Sequence, residues 1–434
     1  MRGALPLLII VCLGGCGLLV EPQRHIGERM EAGTGLDAGT PVDAWVPECS
    51  DNAECGPSLV TSCVAGRCTD CAPTLRYSRV ERGIGVEGVH VATVLVDGQR
   101  WVYAAAHERA SDGTRTPLLY ASRWEELGRE LLEPRGVGGW QGRDMVSFSF
   151  FSTPADVELA ALFRNGPSLI EARPVGAQLG AAPTQQLLAP DGAEAGSLRR
   201  FAEDGFAWYE VADGLQLVRD GAREVPTQTG SPADALAGWV LLNGGGTPGR
   251  LVLWNPETGV SGAQEVPYVA QAQLIALGED RFLAVNTLTG TSRLFEVTCD
   301  MDGCAFSDRL PTPHAHVGGF DVAVLDDAVI AVGVARVGQV DLRMGLGIAG
   351  RDYQPFAMDL PEHNGAGTLE LPFPAETDIV GTDTLRVGEL DSVPVTHEGR
   401  VSIAFAFSEQ RSNAEFDPVA ASLYVGVLEA CRAE

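Results

Sequence analysis

Val91-Ala92-Thr93-Val94-Leu95-Val96-Asp97-Gly98-Gln99-Arg100-Trp101-Val102-Tyr103-Ala104-Ala105-Ala106 decides the fold. Two runs rich in β-branched, aromatic and small apolar residues flank Asp97-Gly98. That dipeptide accepts positive φ at both centres of a type I′ turn, so the stretch predicts a tight β-hairpin. The unit recurs. Val157 to Arg164 meets Asn165-Gly166 and continues as Ser168 to Arg173, and Gly214 to Arg219 meets Asp220-Gly221 before Arg223 to Val225. Alternating apolar runs follow at Phe320 to Leu325, Ala328 to Ala335 and Arg400 to Phe407.

Two further units share a closer signature. Leu251-Val252-Leu253-Trp254 leads into Asn255-x-x-Thr258-Gly259, and Phe282 to Val285 leads into Asn286-x-x-Thr289-Gly290, with return strands closing at Val266 and Val297. Each is read as an apolar strand ending in a polar turn. Imperfect β-units in series suggest a propeller. The body 72–434, divided by roughly 45 to 50 residues per blade, predicts an all-β propeller of about seven blades, with a range of six to eight. A pair of β-sandwiches and a β-helix are the rival folds. The Asn-x-x-Thr-Gly turns resemble the strand-end turns of quinoprotein-like propeller repeats. That resemblance is to an architecture, since neither the WD dipeptide nor a consistent kelch signature is present.

The amino terminus reads as an address rather than as structure. Arg2 supplies a short positive region, Leu5 to Val11 an apolar one, and Leu13-Gly14-Gly15-Cys16 follows. The apolar run is shorter than the ~20 residues of a spanning helix. Leu13-Gly14-Gly15-Cys16 resembles the lipobox of bacterial lipoproteins, with Gly14 where the family more often has Ala or Ser. The resemblance implies that residues 1–15 are a signal peptide and that Cys16 carries the lipid. Each buried CH₂ is worth ~0.8 kcal/mol, so several acyl chains would hold the protein firmly. Gly17 in place of Asp implies the outer membrane under the best-known sorting rule. Residues 16–48, with Ala32-Gly33-Thr34-Gly35 and Asp37-Ala38-Gly39-Thr40-Pro41, have the composition of a flexible linker.

Of the 10 Cys, Cys12 falls in the signal segment and Cys16 is the lipid site. The other eight, Cys49, Cys55, Cys63, Cys68, Cys71, Cys299, Cys304 and Cys431, are an even number, which in an exported chain reads as disulfides. Residues 49–71 form a compact cysteine-rich module, similar to small motifs that precede large domains in exported proteins of GC-rich bacteria. Bridges must replace a core in so short a segment. Zinc is the alternative, but only Cys68-x-x-Cys71 has knuckle spacing. Cys299 and Cys304 flank a four-residue turn and suit one another. Five module cysteines cannot all pair internally, so Cys431 is expected to take the odd one, with Cys71 the choice because it adjoins the first blade.

The remaining motifs are weak. Gly83-x-Gly85-x-x-Gly88 matches the dinucleotide fingerprint, but a strand-like run follows where a helix is required. His314-x-His316 has metal-ligand spacing in a loop-like, proline-rich stretch, and His90 and His107 read as structural. Asp300-x-Asp302-Gly303 begins like a calcium loop and is cut short by Cys304. Asp326-Asp327 reads as a turn, and Trp124 to Leu132 as a short insertion helix with a solvated acidic face. No nucleophile elbow, P-loop or H-E-x-x-H is present. A glycosidase pair, two carboxylates roughly 5 to 9.5 Å apart, cannot be picked out by sequence from 58 acidic residues.

The formal net charge of −27, with every base an arginine, excludes nucleic acid and an anionic bilayer surface as attractive partners. No metal or cofactor is expected. The function expected is a non-enzymatic, lipid-anchored binding or scaffold protein of the cell envelope that takes a protein or glycan ligand. A propeller hydrolase of envelope polymers and an outer-membrane assembly scaffold are the alternatives.

Overall fold

The computed structural model describes residues 49–431 except 51–53, 83–84, 111–112, 114, 130–133, 136–144, 153–156, 164–168, 176–184, 189–194, 203–204, 211–212, 220–221, 270, 279, 289–290, 310–318, 326–327, 338–340, 351–352, 354–367, 374–383, 398–399 and 414–417. The expected signal segment, Cys16 and the expected linker 16–48 therefore lie outside the described residues, as do His314, His316 and Asp326-Asp327. Among the described residues no helix is long and apolar enough to cross a membrane.

The body is a β-propeller of seven four-stranded antiparallel blades. Blade one is β4 (Gly85–Val96), β5 (Gln99–Arg109), β6 (Arg115–Arg123) and β7 (Pro134–Arg135). Blade two is β8 (Met145–Ser152), β9 (Val157–Phe163), β10 (Leu169–Val175) and β11 (Gln185–Leu188). Blade three is β12 (Ala195–Ala202), β13 (Gly205–Glu210), β14 (Gly214–Arg219) and β15 (Ala222–Glu224). Blade four is β16 (Ser231–Leu236), β17 (Trp239–Asn243), β18 (Gly249–Trp254) and β19 (Ser261–Val266). Blade five is β20 (Gln271–Ala276), β21 (Arg281–Leu288), β22 (Thr291–Cys299) and β23 (Cys304–Arg309), and blade six is β24 (Gly319–Val324), β25 (Ala328–Val337), β26 (Asp341–Gly350) and β27 (Thr368–Pro372). Blade seven is composite: β28 (Thr384–His397), β29 (Arg400–Ser412) and β30 (Pro418–Glu429) receive β3 (Thr74–Arg82) as their outer strand.

The second strand of each blade is buried on both faces, so it reads as a near-continuous apolar run rather than an alternating one. Ile403 to Phe407 on β29 is a case in point. The core is divided into seven apolar clusters, one at each junction between successive blades. The cluster joining Val395, Ala404 and Val425 of blade seven to Val91, Val102 and Tyr120 of blade one closes the ring.

The seam has three further fastenings. β3 pairs with β30 from Thr74↔Glu429 to Arg82↔Ala421. Arg76 forms a salt bridge with Glu429 at 2.6 Å and donates to the Leu127 carbonyl at 3.1 Å, while Trp124 Nε1 donates to Glu429 at 2.9 Å. Cys71 is bonded to Cys431 across 360 residues of chain.

The cysteine-rich module is a hairpin of β1 (Thr61–Val64) and β2 (Arg67–Asp70), held by Cys49–Cys63 and Cys55–Cys68. It is docked, not pendant. Leu59 and Val60 are fully buried in the cluster between blades six and seven, and the Cys431 amide donates to the Leu59 carbonyl at 3.2 Å.

Local readings fare differently. Asp97 and Gly98 have φ of 50° and 76°, so the β4–β5 turn is the left-handed dipeptide turn the sequence demands. Both Asn-x-x-Thr-Gly units fall where one strand ends and the next returns, but they are not equivalent, since only the first has its Asn in the turn. Asn255 Oδ1 does accept from the amides of Glu257 and Thr258, and Gly259 sits at φ 76°, between β18 and β19. Asn286 instead lies buried within β21 and donates to the Tyr268 carbonyl at 2.9 Å. One unit joins strands three and four of its blade and the other joins strands two and three, so their spacing of 31 positions is not the blade repeat. Of the insertion helix expected from Trp124 to Leu132, the described residues form only a 3₁₀ turn, Trp124–Glu126, and residues 130–132 lie outside the described residues. Its fate is set by Trp124, which is buried in the junction of blades seven and one with its ring centroid 5.0 Å from that of His397.

Candidate functional site

The innermost strands β4, β8, β12, β16, β20, β24 and β28 all contribute to one cavity of about 470 Å³ on the propeller axis. Every inner strand is a sheet edge, with amides that have no further strand to pair with. Five of the seven carry a register slip near their start: Glu87/His90, Met145/Ser147, Gly196/Arg199, Pro232/Asp234 and Val387/Leu390. Each inserts one extra residue and twists the strand, a common use of bulges at barrel rims and sites.

Side chains of neighbouring blades take up the exposed edge amides. Glu389 Oε2 accepts from the Val89 amide at 3.1 Å and Asp391 Oδ2 from the Val91 amide at 2.6 Å, linking blade seven to blade one. Ser147 Oγ accepts from the Leu198 amide at 3.0 Å, and Asp234 Oδ2 from the Leu274 amide at 2.7 Å. Ser392 Oγ donates to Asp321 Oδ2 at 2.6 Å between blades seven and six. Arg199 Nε donates to the Ala233 carbonyl at 2.7 Å between blades three and four. Hydrogen bonds in the channel wall thus tie blade two to three, three to four, four to five, six to seven and seven to one.

Burial dominates the electrostatics. It pushes the Asp234 carboxyl above the ordinary carboxylate range, against the pull of Arg199 and of the Leu274 and Ala235 amides. Burial and then the charge of Asp391 push the Asp321 carboxyl well above that range, despite Ser392 and the Val322 amide. On β5, His107 Nε2 lies 3.3 Å from Glu87. Burial and Arg115 lower the imidazole, so the ring is neutral at pH 7. For Glu87 burial alone would raise the carboxyl, but His107, Arg115 and Arg109 together hold it below its usual value. Phe148 presents edges to both His90 and His107, at centroid distances of 5.1 and 6.0 Å.

Other candidates resolve into structure. Asp300 and Asp302 lie in the β22–β23 turn, where Asp300 Oδ1 accepts the amides of Asp302 and Gly303, and Cys299 is bonded to Cys304 beneath it. Gly85 and Gly88 sit on β4, so no helix amino terminus faces a phosphate there; Gly83 is outside the described residues. The sulfurs of Cys49, Cys55 and Cys68 lie within 4.8 Å of one another, but all three are in disulfides and offer no thiolate. His90 and His107, read as structural, both belong to the channel wall. Asp234, Asp321, Glu389, Asp391 and Arg199 escaped the sequence reading. They share no spacing, because ring closure alone brings them together.

No family model matches the chain, and no curated protein matches it. Among solved structures, the chain is similar to a subtype N10 neuraminidase-like protein of A/little yellow-shouldered bat/Guatemala/060/2010, at 10% identity, with a TM-score of 0.37, over 82% of this chain and 98% of that one.

Proposed function

We propose that this chain is an exported, lipid-anchored binding protein of the bacterial cell envelope, with the axial channel as its ligand site. The binding reading rests on how the channel acids are used. Asp234 and Asp321 have both oxygens engaged, the former by the Ala235 and Leu274 amides, the latter by the Val322 amide and Ser392. Groups tied down in this way shape and charge a cavity rather than exchange protons with a substrate. The volume of about 470 Å³ falls within the ~300 to 1,000 Å³ of small-molecule sites. The anchoring reading rests on Leu13-Gly14-Gly15-Cys16 and the linker after it.

Fractionation of cells expressing wild-type and Cys16→Ser protein tests the anchor: the variant is expected in the soluble fraction, and unchanged membrane association defeats it. Hydrolysis is the second reading. A single observation favours it, the Asp321 carboxyl in the channel wall, raised well above its usual range by burial and by the neighbouring Asp391, since an acid that holds its proton more tightly is a candidate general acid. Release of reducing ends from envelope polysaccharide, lost in Asp391→Asn, would move the assignment to that reading.

A further inference from the structure

Two enclosed acceptors on the channel wall have nothing to accept. Among the described residues, His107 Nδ1 and Gln273 Oε1 are buried without a hydrogen-bond partner. The His107 side chain is only 9% exposed. Its tautomer is set from behind: Nε2 faces the Glu87 carboxylate and carries the proton, so Nδ1 presents a lone pair. Nδ1 faces Gly88, a residue of the channel wall. A Cβ there would stand 2.9 Å from it, and the backbone is at φ +62°, so only glycine keeps the space between this enclosed nitrogen and the channel free of a side chain.

The same stretch of wall is anionic. Glu389 and Asp391 reach across from β28 to the amides of Val89 and Val91, on β4 just beyond Gly88, and each uses one oxygen to do so. Glu389 is near enough to His107 for its charge to act on the imidazole. Arg199, a cation of the wall, is directed elsewhere: Nε and Nη1 donate to the Ala233 and Leu198 carbonyls, and its charge acts on Asp234. A metal ion does not fit this pattern, because among the described residues no three of the channel's carboxylates and imidazoles come within 4.8 Å of one another. The acceptors are spread along a wall, which suits an extended ligand with several donors.

We propose that the channel binds a small organic cation carrying N–H donors, an alkylammonium or guanidinium compound, with its charge against Glu389 and Asp391 and an N–H donated to His107 Nδ1. This rests on the channel-binding reading above and narrows it to a ligand class. Charge-assisted hydrogen bonds of this kind are about twice as strong as neutral ones.

Isothermal titration of the purified full-length chain with putrescine, agmatine and spermidine tests it, with 1,4-butanediol as the neutral counterpart of putrescine and a panel of neutral hexoses alongside. At least one amine is expected to bind where butanediol does not. Glu389→Gln with Asp391→Asn should weaken it at least tenfold, and His107→Gln should weaken it severalfold. Near-UV circular dichroism checks that each variant is folded, and His107→Gln alone suffices if the double variant is not. Equal amine binding by wild type and all variants places the site elsewhere and overturns the proposal. Silent amines with a hexose that the channel variants release overturn the cation class while leaving channel binding intact. Silence from every probe removes both.

Discussion

Replacing Cys71 and Cys431 together by serine should be far more damaging than removing the other disulfide within the propeller. The two bonds close loops of very different length, with sequence separations of 360 for Cys71–Cys431 and 5 for Cys299–Cys304. In the chain-entropy treatment the constraint on the unfolded chain grows with the logarithm of loop length, giving about 6 kcal/mol for the long loop and about 2 kcal/mol for the short one. With an unfolding entropy of roughly 2.1 cal/mol/K per residue over the folded residues 49–431, those figures correspond to melting shifts of about 7 °C and about 2.5 °C. The double replacement is the right perturbation because a single one leaves a free thiol beside a buried site. Cys431 is itself buried, so serine there adds only a small extra cost. Differential scanning calorimetry without reductant, on C71S/C431S, C299S/C304S and the parent, reads the difference directly, after non-reducing peptide mapping of the parent. The reasoning fails if C71S/C431S melts within about 1 °C of the parent, or if the two variants are indistinguishable. Either result would mean that the β3–β30 ladder alone defines the seam and that the unfolded chain is already compact.

Two further outcomes follow from the channel and from blade packing. The Asp321 carboxyl is raised in the folded state, so folding favours its proton. The stability this group contributes is full below its unfolded value of about 3.9 and is lost as pH rises through the folded value. Asp321→Asn should therefore gain on the parent in urea melts as pH rises from 4 to 8, and a gain that does not grow with pH refutes the assignment. Gly262 lies where a Cβ would stand 2.0 Å from the Cys304 carbonyl oxygen of the next blade; Gly262→Ala should cost about 2 kcal/mol or more, of the order found for overpacked cores, and a neutral result in guanidinium denaturation would show that the two blades can separate there freely.

How much was legible depended on the range of the interaction that fixes each feature. The β4–β5 hairpin was plain because Asp97 and Gly98 settle it between themselves. Asn255 was equally plain, for its side chain bonds to amides two and three residues on. Asn286 carried the same local pattern and took another role, because a carbonyl 18 residues away, on Tyr268, was a better partner than its own turn. Trp124 was pulled out of a helix by the apolar junction of blades seven and one. The blade repeat was blurred because inner strands start as little as 36 residues apart, at Ala195 and Ser231, and as much as 65 apart, at Gly319 and Thr384. The channel residues were illegible for the strongest reason. Asp234, Asp321 and Asp391 come from three blades and meet only at the axis, so no window of sequence contains the site.

The composite seventh blade also sets a timetable. A ribosome makes β3 early, yet the strand it pairs with, β30, ends at Glu429. Throughout synthesis, and through any passage across a membrane that delivers the amino end first, β3 must wait without its partner strand. Arg76, Arg79, Glu81 and Arg82 place four charges on that waiting strand, the kind of sequence that keeps an orphan edge from joining the wrong partner. Until the last dozen residues of strand arrive, this chain can be a row of blades but not a wheel. Its axial channel comes into being all at once, at the end.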